Sequence, residues 1–157
     1  MRCSAKGFTL IEIITVIAII GVLAAVLTPN IGSWVGKSKL RTGADELQQL
    51  LAFMKGESLS RGTTIKAEIS EDDNSIAIYS SNESTTNCQS SEVEWSIMSN
   101  NLVFNNIKLI SEVENDELCF FTNGSSNGGK LTLSSKHGEY EVQVLSATAF
   151  IEKRKIE

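Results

Sequence analysis

Histidine and proline each occur once in this 157-residue chain, at His137 and Pro29. One imidazole, placed in a predicted turn, offers neither a multi-histidine metal site nor a Ser-His-Asp arrangement, because both need several groups to converge. No catalytic residue, no metal and no cofactor is expected. Basic residues are a minority, 14 against 19 acidic, for a formal net charge of -5. Loss of Arg2 and Lys6 would deepen this to 12 minus 19, or -7, which argues against a generic nucleic-acid binder. The glycine-rich segment 123–129 lacks P-loop spacing and a Gly-Lys-Ser/Thr ending, so it reads as a hairpin connection and not a phosphate cradle. Asp72, Asp73 and Asn74 lack EF-hand spacing and read as a solvated turn.

Charge is also missing from one long stretch. Residues 8–27 contain a single ionisable side chain, Glu12. As a helix, that run would be about 30 Å long, the hydrocarbon thickness of a bilayer. A secretory signal would have a shorter apolar core with a small-residue cut after it, whereas here Gly7 precedes the core. Arg2 and Lys6 favour a cytoplasmic amino terminus, with the bulk of the chain on the opposite side. A carboxylate near the start of such a segment costs a few kcal/mol, on the order of 3 at the bilayer centre, and calls for a partner. A cut between Gly7 and Phe8 would create one: the new α-amino group of one subunit could meet Glu12 of a neighbour.

The string Lys6-Gly7-Phe8-Thr9-Leu10-Ile11-Glu12 resembles the class III signal of type IV pilins and type II secretion pseudopilins. The resemblance implies cleavage after Gly7 by a membrane-embedded prepilin peptidase, N-methylation of Phe8, and assembly with other pilins on an inner-membrane platform. It also implies a single-pass inner-membrane protein whose carboxy-terminal domain lies in the periplasm, entering a periplasmic or surface filament after assembly. Pro29 falls where pilins commonly carry a helix-bending proline; lacking an N–H, and with Gly32 nearby, it should kink or locally melt the helix without ending the pattern. The expected organisation is a leader over 1–7, a transmembrane and assembly helix over 8–28, an amphipathic helix over 29–62, and a β-rich globular domain over 63–157.

Beyond Pro29, Leu40, Ala44, Leu47, Leu51 and Met54 recur at steps of four and three, with Leu50 beside them and Lys39, Arg41, Asp45, Glu46 and Gln48 off the stripe. That is an amphipathic helix whose apolar face should pack on the following sheet, with Gly62 as its stop. After Gly62 the period becomes alternating. Ile65, Ala67 and Ile69 mark a strand, 71–74 a turn and 75–79 a return strand; 80–92 reads as a loop. Shorter strands are expected around 93–97, 102–104 and 107–110, then 118–122, 130–134 and 140–145 in antiparallel succession. The fold class is α+β: a long amino-terminal helix against a small antiparallel sheet.

Two segments, Glu57 to Thr63 and Cys119 to Leu133, resemble the GspH/FimT family of minor pilins and pseudopilins, although Asn123 stands where that family usually has aspartate before the first glycine. The function this implies is a minor pseudopilin supporting protein export across the outer membrane; the alternative is a minor type IV pilin for pilus assembly, adhesion, motility or DNA uptake. Cys3 precedes the proposed cut, which leaves Cys88 and Cys119 to pair or to remain two thiols. Lys153, Arg154 and Lys155 form the one compact basic run in the mature chain. A phosphate contact is open to them, but the flanking Glu152 and Glu157 favour a solvated tail.

Overall fold

The computed structural model describes residues 8–89 and 92–156, with the side chains of 26–30 and 99–101 outside the description. The chain divides into two units, Met1–Gly36 and Lys37–Glu157, and helix α1, Leu10–Arg61, contributes to both. Its start is built by Thr9, whose carbonyl and hydroxyl both accept from the Glu12 N–H, at 3.1 and 3.4 Å. This is the N-cap geometry expected of Thr followed three residues later by Glu. Helical assignment continues through position 29. Among the described residues no helix is long and apolar enough to cross a membrane; the apolar run of the sequence extends into 26–27, outside the described side chains.

In the second unit the stripe is buried as its spacing requires. Leu40, Ala44, Leu47, Leu51 and Met54 are each at most 2% exposed, and Ser58 extends the line by one turn. Gly62 ends the helix at φ +66°, its N–H donating to the Ser58 carbonyl at 3.2 Å; the left-handed conformation there suits glycine because no Cβ opposes it.

The helix packs against two four-stranded antiparallel sheets rather than one. Sheet A comprises β1 (Ile65–Ser70), β2 (Ser75–Ser81), β3 (Trp95–Val103) and β5 (Glu117–Phe120), in the order β3-β2-β1-β5. Sheet B comprises β4 (Lys108–Glu112), β6 (Gly129–Ser135), β7 (Gly138–Val144) and β8 (Ile151–Ile156), in the order β4-β6-β7-β8. Ile65, Ala67, Ile76, Ile78, Leu118 and Phe120 from sheet A, with Leu109, Leu131, Leu133, Val142 and Val144 from sheet B, join the helix stripe in one core. Alternation along each strand delivers these residues to a single face.

Three local expectations are revised, and one element is new. The segments around 93–97 and 102–104 are one nine-residue strand, β3, whose register against β2 shifts twice; irregular pairing interrupts the alternation that would have revealed its length. Residues 123–129 do not close a hairpin. β5 pairs with β1 and β6 pairs with β4 and β7, so no ladder joins the two sides of the loop; a single bridge, Phe120–Ser126, and hydrogen bonds from Ser125 and Asn127 link them. Gly129 makes this crossing feasible: a Cβ there would lie 2.7 Å from a Val113 methyl. Residues 153–155 are not a tail but the middle of edge strand β8, registered on Val142, Glu141 and Tyr140. A one-turn 3-10 helix at Glu114–Asp116 was not expected at all.

Side chains complete the free edges. Asn127 stands beside β5 and acts as a short strand, its Oδ1 accepting from the Cys119 N–H at 2.8 Å and its Nδ2 donating to the Glu117 carbonyl at 2.7 Å. The turn between β1 and β2 reaches β4 likewise: Asn74 Oδ1 accepts from Leu109 N–H at 2.8 Å and Glu71 Oε1 from Ser111 N–H at 2.5 Å. The acidic turn therefore ties sheet A to sheet B, satisfying backbone donors that burial would otherwise strand.

Candidate functional site

The residues of the proposed cleavage and assembly element divide between described and undescribed parts of the chain. Arg2, Cys3, Lys6 and Gly7 lie outside the described residues. Phe8 precedes the helix and is 79% exposed; Glu12 lies in the first turn of α1 and is exposed. A carboxylate in a first turn is favoured by the amide dipoles, by about 0.3–1 kcal/mol, so it also suits the helix it begins. Around it Leu10, Ile11, Ile14, Ile17, Ile20 and Leu23 are all more than half exposed. Each such side chain would contribute roughly 1.5–3 kcal/mol if buried. An isolated helix presenting this much apolar surface is an element awaiting a lipid or protein cover. Pro29 lies within the helical assignment, its side chain outside the description.

In the globular unit, Cys88 and Cys119 are brought together as a disulfide, with Cα atoms 5.8 Å apart, packed with Phe121 and Trp95. The basic run is partly engaged: Lys153 bonds Asp45 of α1, and Arg154 lies 3.4 Å from Glu152. Lys155 is exposed.

A constellation that sequence reasoning missed sits on the outer face of sheet A. Lys66 is largely buried and donates to Glu117 at 2.7 Å, with its ammonium 4.7 Å from the Trp95 ring centroid and 5.7 Å from that of Tyr79. The signal available was a lysine alternating with Ile65 and Ala67, which reads as an ordinary solvent-facing position. Tyr79 itself is held above its usual phenol range, first by burial, then by the charge and hydrogen bond of Glu68. An open hollow of about 590 Å³ beside it is lined by Glu68, Glu71, Asp72, Asp73, Tyr79 and Asp116.

A helix capped by Thr9 with Glu12 in its first turn, continuing into an amphipathic half packed on antiparallel sheets, defines a type IV pilin-like subunit. That class is one of structural subunits, not enzymes. Residues 2–28 match the prokaryotic N-terminal methylation motif, and residues 43–148 match the family described as type II transport protein GspH; the chain belongs to this family. Its fold is similar to that of the minor pseudopilin EpsH from the Type 2 Secretion System of Vibrio cholerae, at a TM-score of 0.59 and 13% identity over 74% of this chain and 97% of that one. It is also similar to the type IV minor pilin FimU of Pseudomonas aeruginosa, at 0.55 and 17% over 77% and 92%. By sequence it is 33% identical over 78 residues to a type IV major fimbrial protein FimA of Dichelobacter nodosus, covering 46% of this chain and 49% of that protein. A 28-residue stretch is 71% identical to the wide pilus major component PilA4 of Thermus thermophilus, covering 18% and 21%. The chain thus spans about half or less of these curated relatives' lengths.

Proposed function

We propose that the chain is a minor pseudopilin: a structural subunit of a type II secretion pseudopilus that supports protein export across the outer membrane. The observation that carries this reading is the GspH match, which extends over 43–148 and so includes the globular domain where subunit specificity resides. Residues 1–7 are removed by prepilin peptidase, the amino group of Phe8 is methylated, and residues 8–28 hold the subunit in the inner membrane with its domain in the periplasm. On an inner-membrane assembly platform, the α-amino group of one subunit then meets Glu12 of another pilin, neutralising two charges that apolar surroundings disfavour singly. Pro29 bends the helix between its assembly half and its domain half.

A second reading, a minor type IV pilin, draws support from the similarity to FimU and from the sequence match to FimA. Chromosomal deletion with three readouts separates the two. Loss of exoprotein secretion with normal surface piliation and twitching supports the pseudopilin; loss of piliation or of DNA uptake with secretion intact overturns it. Two substitutions test the mechanism within either filament. Gly7→Ala should leave the leader attached, so a wild-type mature mass would reject cleavage at this bond. Glu12→Ala should insert in the membrane but stay out of filaments, and normal incorporation would reject the charge pairing.

A further inference from the structure

On leaving β2, residues 82–89 run toward β5, the opposite edge of sheet A from β3, before the chain returns to enter β3. Hydroxyl contacts hold this path down. Thr64 Oγ1 donates to the Thr85 carbonyl at 2.6 Å and accepts from the Thr85 N–H at 3.2 Å, while the Ser84 and Thr122 hydroxyls lie 2.9 Å apart. The covalent tie is Cys88 to Cys119.

Cys119 is the register partner of Lys66 across β1 and β5, and Tyr79 is its partner across β1 and β2. Directly paired residues of antiparallel strands project from the same face. Cys88 is therefore seated beside a lysine whose side chain is only 11% exposed. The roof over that lysine is Trp95, and Trp95 in turn packs against the cluster of Cys88, Cys119 and Phe121. The disulfide, the cluster around it and the Trp95 ring therefore form one contiguous cover beside and over the ammonium.

We propose that residues 82–89 form a redox-closed strap. Closed, it holds Trp95 over Lys66; opened, it leaves Lys66, Tyr79 and Trp95 as an accessible cation–aromatic face on sheet A. An oxidising compartment keeps the strap shut. Opening requires a dithiol, which delivers two electrons and two protons: the Cys88–Cys119 bond breaks, each sulfur ends as a thiol, and the two donor sulfurs join in a disulfide. Of the neutral hydrogen bonds that remain, Ser84–Thr122 is exposed to competing water, and the two between Thr64 and Thr85 are partly buried.

The test is brief amine acylation of the full chain in detergent micelles, read by peptide mass spectrometry, with and without dithiothreitol. Lys136, exposed in a turn, is the reference. In the oxidised chain Lys66 should label about tenfold or more slowly than Lys136; reduction should raise its rate at least about fivefold while Lys136 is unchanged. Cys88→Ser should give the same rise without reductant. Three results overturn the proposal: rapid labelling of Lys66 in the oxidised chain, free thiols without any rise at Lys66, or collapse of the far-ultraviolet circular dichroism on reduction. The last would mean that the disulfide supports the whole domain and not a strap.

Discussion

Replacing Lys66 by methionine should destabilise the globular domain by more than any surface lysine does, and the size follows from its surroundings. Lys66 and Glu117 are 11% and 20% exposed in their side chains and bonded at 2.7 Å. Removing one partner of a fully buried pair costs about 3–5 kcal/mol because the other charge is left without compensation. Glu117 retains some water, so about 2–3 kcal/mol is the expected loss for Lys66→Met. Glu117→Gln should cost less, about 1–2 kcal/mol, because Lys66 keeps an amide oxygen and the Trp95 ring, a contact worth roughly 0.5–2 kcal/mol. The double variant leaves no unpaired charge and should lose only about 1 kcal/mol, giving a coupling of about 2 kcal/mol or more. Urea unfolding followed by circular dichroism measures all four proteins; with a slope of about 1–3 kcal/mol/M, Lys66→Met should lower the midpoint by about 0.7–3 M. A Lys66→Met loss below about 0.5 kcal/mol, or a double variant equal to the sum of the singles, would refute this account of the pair.

Leu51→Ala on the buried stripe should cost about 3 kcal/mol through lost transfer energy and a cavity. Phe53→Ala, two residues on but half exposed, should stay within about 0.5 kcal/mol; similar losses in urea unfolding would contradict the helix orientation. Tyr79 gives a pH prediction. Its folded phenol binds a proton more tightly than the ordinary 10.0, so its contribution is complete below the unfolded value and lost as pH rises through the folded one. Tyr79→Phe should therefore flatten the fall in unfolding midpoint as pH rises past the ordinary phenol value of 10.0, and an unchanged slope would dismiss Tyr79 as its source.

Legibility was uneven along the chain, for physical reasons visible at particular residues. Leu40 to Met54 could be read because a helix buries one stripe whatever it packs on, and Gly62 because a left-handed stop has few chemical solutions. Ile65, Ala67 and Ile69 could be read because alternation belongs to the strand itself. Lys66 could not, since a lysine on the outer face is ordinarily solvated, and its burial depends on Trp95 and Glu117 arriving from β3 and β5. Asn127 was equally silent: nothing in an Asn-rich loop says that one amide will serve as a strand for β5.

The amino-terminal motif was recognisable from local chemistry alone, since Gly7, Phe8 and Glu12 sit within six consecutive positions and an apolar run needs no distant partner to be recognised. Its membership in the pilin class needed no fold. The division of eight strands into two sheets, the crossing of 123–129 between them, the conversion of Lys153 to Lys155 from tail to edge strand, and the burial of Lys66 all arose from contacts between residues far apart in the chain. Such contacts leave no periodicity to read, because each strand alternates in the same way whichever neighbour it pairs with.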